Sequence, residues 1–243
     1  MNNGDRNFVF KKESAIAFLD FVGERKDTLI YKRAAKGYGV YGVKVFDFSR
    51  NDGKYVLSDE EAGLDADLGD IIPSSSSSRK YEEKRVAIFV LDARSNKTPW
   101  SKGFKAWIPN YDGDFLGKRQ WEWFENSIRK SNASVNIIVN GLQVHSYRHP
   151  NSQAAEVWSH FPKSRQRLYD TILQDGVKAP ILLSGDVHMA QFLRKDCIRS
   201  SNIHKNGAKI QPLIEFTSSG MTHRQVQNQK DLVVSPCLLA HLK

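Results

Sequence analysis

The longest uninterrupted apolar run of the sequence is VAIFVL at residues 86–91, and charged residues flank it on both sides. It is far shorter than the roughly 20 residues that a membrane-spanning helix needs, but it suits a strand buried on both faces. Short strands are also predicted at 135–139, 181–183 and 213–216, and helices at 120–130 and 162–174. Strands and helices that alternate at this spacing predict a layered α/β domain.

The N-terminal part of the chain gives weaker signals. Residues 14–22 carry Ala15, Phe18, Phe21 and Val22 at helical spacing, which predicts a helix with these side chains on its packed face and a glycine after its end. Residues 37–48 are rich in glycine, valine and aromatic residues, which indicates an edge hairpin or a bulged strand.

Residues 51–84 have the composition of an insertion. They begin with an Asn-Asp-Gly turn, continue through six acidic residues from Asp59 to Asp70, and contain five consecutive serines after Pro73. Such a segment has little apolar surface to bury, so we expect a mobile surface loop. The two cysteines of the 243-residue chain are too few for a disulfide framework or a four-thiolate metal site.

The chain carries a net charge of +9, with 36 basic and 27 acidic residues. Because six of the acids lie within the twelve residues 59–70, the rest of the chain is considerably more basic. This excess favours an anionic partner, such as a phosphate ester, a nucleic acid or an anionic membrane surface, although it is equally consistent with a plain basic surface. The basic residues are spread along the chain, singly or in pairs, rather than gathered in an arm or stripe, which argues against nucleic acid.

The sharpest chemical signal is SGDVH at residues 184–188, directly after a predicted strand. Asp186 and His188 are two residues apart, so in extended backbone both side chains point to the same side. Carboxylate and imidazole groups are common ligands of divalent metals and iron, and ligand sites of α/β sheets lie at the carboxyl ends of strands. The pattern by itself leaves two alternatives open: a loop with a surface histidine, which is the commoner structure for this spacing, and a metal site.

This segment resembles the last metal-binding motif of the PhoD-like phosphatases, a branch of the calcineurin-like metallophosphoesterases. Five further segments resemble motifs of that family in the same order: VLDAR at 90–94, LGKRQWEWF at 116–124, NGLQV at 140–144, WSHFPKSR at 158–165 and EFTSSGMTH at 215–223. Their order along the chain makes a chance resemblance improbable.

The resemblance implies a metal-dependent hydrolase of phosphate esters, mono- or diesters, that acts on a small phosphorylated substrate. Asp186 and His188 would be catalytic as metal ligands, and Asn2 corresponds to a metal-binding asparagine of the family. The implied metals are Ca²⁺ and Fe³⁺, with Mn²⁺ or Zn²⁺ as alternatives. The implied fold is an α/β sandwich of two mixed sheets flanked by helices.

Three more residues are candidate substrate contacts under this resemblance. Arg94 could bind phosphate or form a structural ion pair, Trp158 could stack on a substrate or pack in the core, and His223 could line the pocket or cap a turn. Gln143 belongs to the NGLQV segment and could orient a ligand. His145 follows the same segment, where the family pattern has no ligand histidine.

Family members carry further motifs ahead of these, and MNNGD at residues 1–5 resembles the end of the last one. We therefore expect residues 1–224 to form a partial PhoD-like domain that lacks its N-terminal strands, followed by a divergent tail at 225–243. The alternative function is that of a catalytically inactive scaffold or interaction protein. No signal peptide or transmembrane segment is predicted, family members are often secreted or in the endomembrane system, and the sequence leaves localisation and oligomeric state open.

Overall fold

A computed structural model describes residues 4–48, 55–57, 85–102, 107–146, 156–196 and 212–219 of the chain. The helices are α1 (Lys11–Phe21), α2 (Leu29–Ala35), α3 (Gly117–Lys130) and α4 (Pro162–Ile172), with a single 3-10 turn at Trp158–His160 before α4. The strands are β1 (Gly42–Asp47), β2 (Tyr55–Leu57), β3 (Arg85–Val90), β4 (Ser101–Lys102), β5 (Trp107–Ile108), β6 (Val135–Val139), β7 (Pro180–Ser184), β8 (Ala190–Lys195) and β9 (Leu213–Ser218).

The centre of the fold is a mixed seven-stranded sheet with the strand order β2-β1-β3-β6-β7-β9-β8. The inner strands β3, β6, β7 and β9 run parallel, whereas β1 and β8 pair antiparallel with β3 and β9. The carboxyl ends of the four parallel strands therefore meet at one edge. The predicted α/β class is confirmed.

The described residues contain this one large sheet and a separate two-stranded ribbon, β4–β5, rather than the two mixed sheets that we expected. The predicted insertion at 51–84 contributes strand β2, which pairs with β1, and its other residues lie outside the described ranges. None of the described helices is long and apolar enough to cross a membrane.

One face of the sheet packs against α3 and α4. Phe89 of β3 contacts Phe124 of α3 edge-to-face, with ring centroids 5.5 Å apart. Further buried side chains of this core come from both helices and the inner strands, among them Trp123, Ile128, Ile138, Leu168, Ile172 and Leu182. The alternation of side chains along each strand directs every second one into this core.

The other face, here called the open face, consists of two cross-strand rows of apolar side chains. One row is Val90, Val139, Leu183, Phe216 and Phe192, and the other is Ile88, Ile137, Ile181 and Ile214. These side chains are half-buried or exposed, and Val90 retains 42% of its surface. The prediction of a strand buried on both faces is thus wrong at Val90. A continuous apolar run indicates that both faces of the strand are apolar, but it does not show whether anything packs against the open face.

Helix α1 is present as predicted, but it packs with a different face. Ala15 is buried, whereas Phe18, Phe21 and Val22 are 53%, 88% and 53% exposed. The helix packs on α2, where Leu19 joins a small cluster separate from the main core. The spacing of the apolar residues in the sequence identified the helix but did not show which of its faces α2 would cover.

Candidate functional site

The turn after β7 brings Asp186 and His188 to the carboxyl edge of the parallel strands. Both residues have positive φ angles, 71° and 58°, in a region that non-glycine residues rarely adopt, so the extended backbone assumed from the sequence is wrong here: β7 ends at Ser184 and a turn follows. The turn is tight, since the Val187 amide donates a 2.9 Å hydrogen bond to the Gly185 carbonyl. Strained backbone of this kind costs about 1–3 kcal/mol per residue and concentrates at functional sites.

The environment of these two residues is partly open. The His188 amide donates to the hydroxyl of Ser219, just after β9, at 3.1 Å, which ties the turn to the neighbouring strand. The Asp186 side chain is 35% exposed. Burial of the remainder raises the pKa of its carboxyl above the ordinary value, and the positive charge of Arg94 opposes that rise.

Arg94 lies between two carboxylates at this edge. Its Nη1 forms an ion pair with Oε2 of Glu156, and its Nη2 lies 3.7 Å from Oδ1 of Asp186. The Glu156 side chain is only 3% exposed, whereas that of Arg94 is 24% exposed. The guanidinium thus has one arm engaged inside the protein and the other at the candidate site. An ion pair, one of the two roles considered for Arg94, is present.

Asp92, next to Arg94 in the VLDAR segment, has a structural role. Its carboxylate accepts hydrogen bonds from the amides of Val40, Arg94 and Ser95 at 2.8–2.9 Å. Gly39 makes this approach possible, because it has a φ of 109° and a Cβ at this position would lie 2.5 Å from Oδ2 of Asp92. The carboxylate therefore shapes the loop that presents Arg94.

Gln120 of α3 fixes the same loop from the other side. Its Oε1 accepts from the Asp92 amide at 2.8 Å, and its Nε2 donates to the Asp92 carbonyl at 2.9 Å. The side chain is fully buried. The helix segment LGKRQWEWF and the strand-end segment VLDAR are therefore in direct contact, which gives a physical reason for the two motifs to occur together.

Trp158 lies in the core below the site. Its ring stacks on Phe115 with centroids 4.2 Å apart, and its indole N–H donates to Oδ1 of Asn140 at 3.0 Å. The side chain has no exposed surface. This position favours core packing over substrate stacking, and the substrate role stays a prediction.

Residues of the NGLQV and EFTSSGMTH segments form a buried polar network beneath β7 and β9. Gln143 donates to the hydroxyl of Thr217 at 2.9 Å, and that hydroxyl lies 2.9 Å from Ser184 Oγ. The carboxylate of Glu215 accepts from the amides of Val144 and His145 at 2.8 and 2.7 Å. Burial raises the pKa of Glu215. The network holds the loop after β6 against β9 and supports the strand end that carries Asp186.

Two buried charged residues near Arg94 were missed in the sequence, Glu156 and Lys97. Lys97 is fully buried. Its Nζ donates a hydrogen bond to the Thr98 carbonyl at 3.2 Å and lies 4.0 Å from the ring centre of Trp100. Burial lowers its pKa to about 8, and the negative charge of Glu156 opposes this shift. An acid inside the apolar stretch AAEVW at 154–158 was the available signal for Glu156.

Asp186 and His188 are donors of the right chemistry for the metal that the family implies, and both are accessible. The described residues contain no cluster of three or more His, Cys, Asp or Glu side chains that could hold a metal ion. Asp186 and His188 therefore fit part of a metal site. The other predicted ligand, Asn2, and the predicted pocket residue His223 lie outside the described residues.

Comparison with known proteins places these features in a family. Residues 79–238 match the model of the PhoD-like phosphatases, which spans more than half of the chain. The protein belongs to the PhoD-like phosphatase family. The matched region contains Arg94, Asp186 and His188, and the resemblance inferred from the sequence is confirmed.

No curated protein matches the chain. A solved structure described as "Structure of PhoD" matches 55% of this chain with a TM-score of 0.44 and 21% sequence identity. The chain covers 26% of the length of that protein.

Proposed function

We propose that this protein takes part in the metal-dependent hydrolysis of phosphate esters. The observation that carries the proposal is the meeting of Asp186, His188 and Arg94 at the carboxyl edge of the sheet, in a chain that belongs to the PhoD-like phosphatases. Two side chains that can ligate a metal ion, together with a guanidinium that can bind phosphate oxygens, are groups that could hold a phosphate ester beside a metal. A small phosphorylated molecule is the proposed substrate.

Asp186 and His188 would hold metal through a carboxylate oxygen and an imidazole nitrogen, with Asn2 as a further ligand. Ca²⁺ and Fe³⁺ are the metals suggested by the family, and Mn²⁺ or Zn²⁺ are alternatives. When bound, such ions activate a water molecule and stabilise the leaving oxygen of the ester. The outer arm of Arg94 would bind a phosphate oxygen and hold the ester beside Asp186.

We also propose that the sheet is one layer of the two-sheet sandwich implied by the family. The support is the open face, whose two rows of valine, isoleucine, leucine and phenylalanine have the composition of a buried interface between sheets. Residues 1–224 are the proposed extent of the domain.

The test is a hydrolysis assay with p-nitrophenyl phosphate and bis(p-nitrophenyl) phosphate after addition of Ca²⁺ with Fe³⁺, Mn²⁺ or Zn²⁺. We expect metal-dependent turnover that Asp186→Ala and His188→Ala each reduce at least about 100-fold, because even residues behind the ligands contribute about 10- to 100-fold. Asp112→Ala is the matched control, since Asp112 is a carboxylate 90% exposed in a surface pair with Lys163.

Absence of turnover with every metal, in a chain shown to be folded by circular dichroism, would contradict the proposal. It would support the alternative of a catalytically inactive scaffold. Turnover that survives both substitutions would show that the activity does not arise at this site.

A further inference from the structure

Glu156 is a buried carboxylate with two polar partners. One oxygen forms the ion pair with Nη1 of Arg94, and the other accepts a hydrogen bond from the indole N–H of Trp100. Trp100 is itself held in place, because its ring stacks on Phe161 with centroids 4.8 Å apart and an interplanar angle of 21°. The position of the Glu156 carboxylate is therefore set by Trp100 as well as by its contact with Arg94.

The contacts of Arg94 are unequal on its two sides. Its guanidinium is in direct contact with Glu156 inside the protein, but it stands 3.7 Å from Asp186, farther than the 2.7–2.9 Å of a charge-assisted hydrogen bond. A guanidinium is a rigid planar fork, so a partner that fixes one arm also sets the direction of the other. The contact with Glu156 therefore limits the directions in which the outer arm of Arg94 can point.

We propose that Glu156 is a positioning residue that holds Arg94 for phosphate binding and leaves the carboxylate of Asp186 available. The proposal rests on the proposed function, in which the outer arm of Arg94 meets a phosphate oxygen. Without the negative charge of Glu156, Arg94 turns towards Asp186 and forms a close pair with it. Phosphate then loses the hydrogen-bond donor that Arg94 provides, and the carboxylate of Asp186 is paired with Arg94.

The first test measures the guanidinium itself and needs no catalytic activity. In the ¹⁵N-labelled protein, we expect the Arg94 side-chain N–H signals, assigned with Arg94→Lys, to be resolved and slowly rotating. Glu156→Gln keeps the size of the side chain and removes its charge, and we expect it to shift these signals and change their rotation rate. Asp112→Asn, the surface control, should leave them unchanged.

The second test uses inorganic phosphate as the probe. We expect phosphate to shift the Arg94 signals of the wild-type protein and to bind about tenfold more weakly to Glu156→Gln, the loss expected for one charge-assisted hydrogen bond. Glu156→Asp keeps the charge and should restore part of the affinity. If the protein turns over substrate, the same loss should appear in KM more than in kcat.

The outcomes separate this proposal from the proposed function. Arg94 signals that are the same in wild type and Glu156→Gln would overturn the positioning role. Altered Arg94 signals in a protein that binds no phosphate would uphold the restraint on Arg94 but overturn its use in phosphate binding. If Glu156→Gln does not fold, Trp100→Phe decides, because it removes the donor to Glu156 and keeps a ring to stack on Phe161. Unchanged Arg94 signals in that variant would also count against the proposal.

Discussion

His145 shows how the fold changes the chemistry of a single residue next to the candidate site. Its Nδ1 lies 3.0 Å from the hydroxyl of Tyr169 and its Nε2 lies 3.1 Å from the carbonyl of Leu213, so both ring nitrogens are engaged. Burial lowers its pKa to about 4. The residue is therefore a neutral structural histidine, consistent with a family pattern that has no ligand histidine there.

We predict that His145 makes the protein less stable in acid. The unfolded histidine takes up a proton near pH 6.5 and the folded one only near pH 4, so the unfolded state binds more protons between these values. The contribution is complete above pH 6.5 and is lost as the pH falls to 4. Relative to His145→Gln, which cannot ionise, the free energy of unfolding should drop by about 3 kcal/mol over this range. Urea titrations at several pH values measure it, and a constant difference between the two proteins would contradict it.

At the scale of elements, helix α3 positions the loop that carries Arg94. Asp114 organises the start of the helix, because its two carboxylate oxygens accept from the amides of Phe115 and Gly117 at 2.9 and 2.8 Å. One turn later, Gln120 pairs with both backbone groups of Asp92. The helix therefore acts on the site through backbone hydrogen bonds at the end of β3.

We predict that Gln120→Ala destabilises the protein by about 2 kcal/mol or more, because it leaves the Asp92 amide and carbonyl without their partner in a buried position. Glu122→Ala is the matched control on the exposed side of the same helix. Its i,i+4 pair with Lys118 is solvent-exposed, so the change should stay within about 0.5 kcal/mol. Chemical denaturation compares the two variants, and equal losses would refute the role assigned to Gln120.

At the scale of the whole molecule, the sheet divides into a covered face and the open face. Phe192 and Phe216 are 52% and 43% exposed and contact each other edge-to-face across β8 and β9, with centroids 5.0 Å apart. Contiguous exposed apolar surface of this kind is typical of interaction sites. The covered face supplies the ordered core, whereas the apolar side chains of the open face are only partly buried or exposed.

We predict that the open face binds the apolar dye ANS in the folded protein. The double substitution Phe192→Thr and Phe216→Thr should reduce the dye fluorescence while costing about 1.5 kcal/mol or less of stability, since both rings are half-exposed and mainly lose their mutual contact. Lys44→Thr, on an exposed position of β1 on the same face, is the control and should not reduce it. Dye binding that is insensitive to the double substitution would locate the exposed apolar surface elsewhere.

The sequence by itself determined the class of fold, most of the inner strands and the family. Residues 135–139 were predicted as a strand and form β6 with the same bounds, and Pro162 begins α4 as expected. Helix α2 and strand β8 were not predicted from the sequence, because a seven-residue helix and a short edge strand whose polar residues do not alternate give weak periodic signals. Local sequence patterns predict a helix or strand where burial of one of its faces gives the apolar residues a regular spacing.

Only the tertiary structure decided which residues meet. It paired Arg94 with the buried Glu156, placed Trp158 in the core against Phe115, and tied Gln120 to the backbone of Asp92. These contacts join residues that are far apart in the sequence, and no periodic pattern encodes the partner of a single charge. The motif SGDVH predicted the chemistry of Asp186 and His188, whereas the neighbours that set their charge and geometry follow from the packing of strands and helices around the carboxyl edge of the sheet.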